Sequence, residues 1–159
     1  MSQLAQYALP IALGTAAVAT PLWIALADYW RRKTTDDAGR WYEEERMPTV
    51  LRDAVIFMNE QSLSISSPVR LSGRVDQVYL ISSGLLVPVD TKVRERHRVY
   101  DSDIMQLSIY AMILAHTSGR RISNAGYVRT VKRTERTRDV RYHLVPLHSD
   151  KVILESIKN

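Results

Sequence analysis

Asp76, Asp90 and Lys92 are the residues of this chain whose types and spacing could do chemistry together. Asp76 lies in the run GRVDQVYLIS, and Asp90 and Lys92 lie in LLVPVDTKV. The two runs read as strands joined at Ser82-Ser83-Gly84, a short hairpin connection. With the turn centred on Ser83, Asp76 falls opposite Asp90. Side chains alternate along a strand, so odd and even positions define its two faces. The odd positions Leu71, Val75, Tyr79, Ile81, Leu85, Val87, Val89 and Val93 make a core face, and the even positions put Arg74, Asp76, Asp90 and Lys92 on the other. Carboxylates directly opposed across a strand pair have Cβ atoms about 5 Å apart, and their charges repel. A divalent cation offsets that repulsion, and carboxylate oxygens are the ligands that Mg²⁺ and Mn²⁺ prefer. Lys92, next on the same face, would reach a phosphate or a water beside the ion. The alternative is a solvent-facing strand surface with scattered charges. A shifted register or a bulge would break the geometry.

Two further residues belong with these three. Gln106 and Tyr110 stand one turn apart on one face of an expected helix, shortly after the Asp-x-Lys triplet. The four histidines, His97, His116, His143 and His148, have no metal-ligand spacing, and no serine–histidine–acid arrangement is evident. The 159 residues carry a net charge of +5 and no cysteine. The length suits one compact domain. The missing cysteine excludes disulfides, thiolate metal sites and cysteine-held clusters. The basic balance points to an anionic partner, nucleic acid or lipid headgroups. Lys92, Arg94, Arg96 and Arg98 precede the helix, and Arg120, Arg121, Arg129, Lys132, Arg133, Arg136, Arg138 and Arg141 crowd the later strands. Such clusters would track phosphates and make binding salt-dependent.

GRVDQV, VPVDTK, QLSIY and GYVRTVKR, in that order, resemble the PD-(D/E)XK nuclease superfamily. The nearest branch is RecB-like and includes the CRISPR-associated iron–sulphur exonucleases. The resemblance spans about residues 40–146. It implies a restriction-endonuclease-like core and Mg²⁺- or Mn²⁺-dependent hydrolysis of DNA phosphodiester bonds. By that likeness Asp76 is the first metal aspartate, Asp90 and Lys92 are the acid and lysine of the (D/E)-x-K motif, and the carbonyl of Thr91 faces the metal. Gln106 and Tyr110 match the helix motif that braces the site and contacts DNA. Members usually add an upstream acid or histidine. Here WYEEER offers Glu43, Glu44 or Glu45, with Glu44 as the named candidate. The iron–sulphur cluster is not carried over, because its four cysteines are missing. A non-catalytic nucleic-acid-binding module on the same fold is the alternative reading, and a small membrane scaffold is a third.

The elements that must position these residues form an α/β domain, a mixed β-sheet flanked by helices. Residues 31–60 read as two helices divided near Pro48, and SLSISSP as a loop or edge strand. The hairpin follows, then a charged loop, then a helix over 103–118 ended by Gly119. NAGYVRTVK and DVRYHLVPL read as a second strand pair, and HSDKVILESIK as a final helix. Ahead of all this, no charged residue precedes Asp28. The apolar stretch is longer than the roughly 20 residues that cross a bilayer as a helix. Tyr29, Trp30, Arg31, Arg32 and Lys33 suit a cytoplasmic interface. Residues 1–30 are therefore expected to be a single-pass transmembrane anchor and residues 31–159 a nuclease-like domain in the cytoplasm. A cleaved signal peptide and a buried soluble helix are the rivals.

Overall fold

The structure is a computed structural model and describes residues 37–134 and 137–158. The chain divides into two compact units, Met1–Trp41 and Tyr42–Asn159. Residues 37–44 are helical (α1), and Arg40 pairs with Asp37 there. The expected membrane anchor lies outside the described residues. Among the described residues, no helix is long and apolar enough to cross a membrane.

The second unit is built on one five-stranded sheet. Its elements in chain order are α2 (Thr49–Arg52), β1 (Val55–Ile65), β2 (Leu71–Leu80), β3 (Leu86–Val93), α3 (Asp101–Thr117), β4 (Ala125–Arg133), β5 (Arg138–Pro146) and α4 (Asp150–Lys158). The strand order is β1-β2-β3-β4-β5. All neighbours are antiparallel except β3 and β4, which are parallel. A parallel pair needs a crossover, and α3 supplies it. This is a mixed sheet with flanking helices, of the α/β class.

β3 occupies the centre, and its first five residues, Leu86 to Asp90, are all buried. Such a run on both faces is what a strand covered on both sides requires. On one side Val78, Leu86 and Val128 pack with Leu107, Tyr110 and Leu114 of α3. On the other, Tyr79, Val87, Val89 and Tyr127 pack with Met47 and Leu51. The even face therefore carries core residues of its own, and the expectation of apolar packing on the odd positions alone is corrected. Parity also breaks within β2. Val75 joins the α3-side cluster together with Val78, three residues later.

The hairpin closes through a turn in which Gly84 takes φ 79°, a left-handed conformation glycine adopts freely. Its register runs as expected from Leu80–Leu86 to Gln77–Val89 and stops there. From Val89 to Val93 the strand pairs with β4 instead.

One expected element is wrong. Val55–Ile65 is an edge strand and not the second half of a helix. Met, Glu and Gln favour helix locally, but the ladder to β2 decides the conformation. That ladder shifts register between Ile56 and Met58, and Glu60 takes φ 49°, opposite the Asp76 stretch.

Candidate active site

The expected site residues converge where β2 and β3 part. The ladder ends at Gln77–Val89, so Asp76 and Asp90 are not a ladder pair. Beyond that point the backbone N–H of Thr91 donates to Asp76 Oδ2 at 2.7 Å. A carboxylate thus takes the place of the missing strand partner. The two polar groups of one residue in an extended strand point to the same edge. The Thr91 carbonyl therefore opens toward Asp76 as well.

Lys92 reaches α3. Its Nζ donates to Gln106 Oε1 at 2.8 Å, and Gln106 Nε2 donates to the Tyr110 hydroxyl at 2.6 Å. An ammonium can only donate, which fixes the orientation of the Gln106 amide. Tyr110 in turn lies against Gly73. A Cβ at Gly73 would stand 2.4 Å from Tyr110 Cε1, so only glycine leaves room for the ring. The glycine of GRVDQV is thus tied sterically to the tyrosine of QLSIY.

Asp90 is the buried member, 2 % exposed. Its Oδ2 forms an ion pair with Lys92 Nζ at 2.9 Å, an approach short of hydrogen-bond alignment, and among the described residues that oxygen has no other polar partner. Burial pushes the Asp90 carboxyl above the usual carboxylate range; the charges of Asp76 and Asp103 add to the rise, and the Lys92 ammonium opposes it. Buried carboxylates are ordinarily paired through hydrogen bonds. A buried carboxylate oxygen met only by an ammonium, beside a second carboxylate, fits a divalent cation. Asp76, Asp90 and the Thr91 carbonyl are the donors available for it. Among the described residues no three His, Cys, Asp or Glu side chains converge on a common point, so the set rests on two carboxylates.

The glutamates of WYEEER go elsewhere. Glu45 is 2 % exposed and bonds both Arg129 Nη2 and Arg138 Nη1. Glu43 accepts from Arg52 Nη1 at 2.7 Å. Glu44 is exposed, and the network described above does not include it. Arg129 and Arg138, expected along a phosphate path, are held in this cluster, where Arg129 also lies over Tyr142, 5.8 Å from its centroid. Tyr127 and Tyr142 pack edge to face, 6.2 Å apart, as core residues.

A second polar chain escaped the sequence reading. His97 Nε2 lies 2.9 Å from Asp139 Oδ2, and His97 Nδ1 lies 2.7 Å from Thr130 Oγ1. Thr130 Oγ1 also lies 2.9 Å from His143 Nε2. An acid–histidine–hydroxyl order exists here, with a threonine where a catalytic arrangement would have serine. Thr130 is 0 % exposed, so its hydroxyl cannot meet a substrate. The chain fastens the 94–100 loop to β4 and β5. The only sequence signal was a histidine amid arginines, with partners more than thirty residues away.

Asp103 fastens the other side of that loop. It takes both Arg94 nitrogens, Nη1 and Nη2, at 2.7 Å each, and the Tyr100 N–H at 2.9 Å. The last bond is half of a capping box at the start of α3. Burial would raise the Asp103 carboxyl, but Arg94 and the Tyr100 amide hold it below the usual range.

No family model matches the chain, and no curated protein matches it. Among solved structures the chain is similar to the crystal structure of SSO0001, at 13% identity and a TM-score of 0.43. The match covers 92% of this chain and 63% of that one.

Proposed function

We propose that this chain is a metal-dependent nuclease that hydrolyses phosphodiester bonds of DNA on a restriction-endonuclease-like core. In this reading the N-terminal stretch anchors it to a membrane, with the domain in the cytoplasm. The observation that carries the catalytic part is the continuity of one network. Asp76 holds Thr91, Lys92 beside Asp90 holds Gln106, and Gln106 holds Tyr110. Residues far apart in the sequence and expected from chemistry to act together meet across β2, β3 and α3.

Mg²⁺ or Mn²⁺ held by Asp76, Asp90 and the Thr91 carbonyl would polarise a phosphate oxygen and lower the pKa of a water. Lys92, oriented by Gln106, presents an ammonium where the attacking water or the developing negative charge would sit. Tyr110 keeps Gln106 in position. The basic loop from Arg94 to Arg98 offers charge for the substrate backbone. The test is cleavage of labelled DNA by the full chain with Mg²⁺, Mn²⁺ or EDTA, beside Asp90→Ala. Cutting that needs metal and vanishes in the variant supports the reading. No cutting under any metal overturns it.

One observation favours a second reading, a nucleic-acid-binding module without catalysis. Among the described residues no three ligating side chains come together, and the buried upstream acid, Glu45, is committed to two arginines. Salt-sensitive DNA binding without cleavage in the same assay would select it.

A further inference from the structure

We propose that Arg46 is a positioning residue for the proposed site. Acting through Asp139 and His97, it sets the basic loop 94–98, so that the hold on an anionic substrate depends on the turn that ends α1. The inference rests on the nucleic-acid reading above and deepens it.

Glu45-Arg46 and Arg138-Asp139 are doublets of opposite charge order, 93 residues apart in the sequence. In the fold they clasp each other. Glu45 takes Arg138 Nη1, and Arg46 Nη1 donates to Asp139 Oδ1 at 3.0 Å. The other oxygen of Asp139, Oδ2, lies 2.9 Å from His97 Nε2 and 3.8 Å from Arg141 Nη2. His97 Nδ1 reaches Thr130 Oγ1 at 2.7 Å. One carboxylate thus joins the end of α1, the start of β5 and the loop that follows Lys92.

The backbone of the turn makes the choice of arginine informative. Met47 N–H donates to the Tyr42 carbonyl at 2.9 Å, and Arg46 N–H donates to the Glu43 carbonyl at 3.0 Å. That pair of bonds ends a helix through one left-handed residue, and glycine is its usual occupant because a Cβ is crowded there. Here the left-handed residue is Arg46, with φ 50°. Arginine is the costlier residue for this turn, and what it adds is a guanidinium within reach of Asp139. An exposed ion pair by itself adds little to stability. The contribution of this one is to hold a loop in place.

The loop carries the charge that a polyanion would meet. His97 is nearly buried, and its neighbours Arg96 and Arg98 are exposed. Arg94, two residues after Lys92, is fixed separately by Asp103 and by its N–H to the Val131 carbonyl at 3.0 Å. His97 is therefore the peg that sets how Arg96 and Arg98 stand relative to that fixed end. Cations held in place beforehand lose less freedom when a phosphate backbone arrives. A displacement of the turn after α1 would reach them through Asp139.

The experiment is hydrogen exchange on the full chain, read by mass spectrometry over residues 94–99 and, for comparison, over β2 and β3. Arg46→Gln is expected to speed exchange in the loop roughly threefold, the worth of an exposed ion pair held in a network, with β2 and β3 unchanged. Arg46→Lys should keep most of the protection. Arg46→Gly relieves the backbone but lacks the charge. Its loop should loosen as in Arg46→Gln while its melting temperature does not fall, whereas a merely structural role would move both together. Asp139→Ala removes no cation and makes the surface more positive. In EDTA it should still bind DNA more weakly than wild type, which separates placement of the loop from direct contact by Arg46. In Mn²⁺, KM should rise in the Arg46→Gln and Asp139→Ala proteins while kcat holds. The proposal is overturned if loop exchange in Arg46→Gln or Arg46→Gly matches wild type, if β2 and β3 loosen equally, or if Asp139→Ala binds DNA as wild type does. Absence of DNA binding by wild type overturns it together with the nucleic-acid reading. Clasp-dependent binding without cleavage leaves it standing and removes the nuclease.

Discussion

The backbone amide of Thr91 is bonded to the side chain of Asp76, 2.7 Å away, where a strand neighbour would otherwise accept it. That bond marks the point at which β2 and β3 separate. β3 is claimed from the other side by β4, from Val89 onward. The gap so opened lies between a carboxylate on one strand and a buried carboxylate and an ammonium on the next. Like charges directly opposed destabilise a sheet. Ending the ladder one residue short of Asp76 and Asp90 relieves that opposition and leaves their carboxylates for a ligand.

Lys92 is expected to be indispensable to cleavage and also to support the fold, because without it the buried Asp90 carboxylate loses its opposing charge. Lys92→Ala should lower single-turnover cleavage on the order of 10²–10³-fold, the usual loss of one preorganised charged donor. Lys92→Arg should rescue little, since a planar guanidinium does not replace a compact ammonium between Asp90 and Gln106. Thermal melts of Lys92→Ala should fall, and Lys92→Ala combined with Asp90→Asn should recover that loss while cleavage stays low. Equal cleavage by Lys92→Ala would remove the lysine from the chemistry.

Asp90→Asn is expected to stabilise the metal-free protein at neutral and higher pH. Burial raises the Asp90 carboxyl in the fold above its unfolded value. Its charge therefore costs nothing below the ordinary aspartate range, where both states are protonated. The cost grows as pH rises through the raised value and is full above it. Asparagine removes the charge at every pH. Urea unfolding in EDTA at about pH 8 should show a gain of roughly 1 kcal/mol, near 4 °C in melting temperature for a domain of this size. The gain should shrink at about pH 4, and cleavage should be lost at both. Stability traded for function in this way is common at active sites.

β2, β3, β4, β5 and α3 were legible because apolar runs, Gly84 and Gly119 punctuate them locally. The hairpin register followed from the turn, and it places Asp76 near Asp90. β1 was not legible. Its VIFMNEQ run mixes helix-favouring polar residues with large apolar ones, and only the ladder to β2 resolves the choice. The two-sided core was missed for a similar reason. Val78 and Leu86 sit on the even face, and their burial depends on α3, which strand alternation cannot see. Glu45 with Arg129 and Arg138, and His97 with Thr130 and Asp139, are contacts between distant segments and leave no local pattern.

Gly73→Ala is expected to act on Lys92 from a distance. The new methyl would meet the Tyr110 ring at 2.4 Å, too close for the ring to stay. Overpacking of this kind costs roughly 1–3 kcal/mol. Moving Tyr110 frees the Gln106 amide and then the lysine it orients. Turnover should fall at saturating substrate while KM changes little. In a Tyr110→Ala background, itself destabilised by the lost core ring, Gly73→Ala should cost little further stability, and turnover should stay low. Full turnover in Gly73→Ala would break the proposed chain from glycine to ammonium.

Glu45→Ala is expected to cost about 3 kcal/mol in urea unfolding, because removing one partner strands a buried charge. Arg129 is nearly buried and Arg138 half exposed, which places the loss at the lower end for such pairs. The fraction that remains folded should bind Mn²⁺ as wild type does. Glu44→Ala should change neither stability nor Mn²⁺ titration, since that side chain is exposed. Weaker Mn²⁺ binding by Glu44→Ala would restore it as the upstream ligand.

His143 is expected to set an acid limit on the fold. Burial lowers its pKa below the usual 6.5, and the neighbouring His97 and Arg141 push the same way. Thr130 has one hydroxyl proton. When His97 Nε2–H donates to Asp139, its Nδ1 can accept that proton at 2.7 Å, closer than the Arg141 carbonyl at 3.5 Å, and His143 Nε2–H can donate to the Thr130 oxygen. His143 therefore resists protonation in the fold more than an unfolded histidine, which takes up a proton near 6.5. The stabilising contribution is present above that value and is lost as pH falls through the lower, folded one. Asp139, held below the usual carboxylate range first by its bond to His97, stays charged across the same window. His143→Gln keeps a donor toward Thr130 and cannot be protonated. Its urea midpoint should fall less than that of wild type between about pH 7 and pH 5. Parallel pH profiles for the two proteins would assign the acid sensitivity to another group.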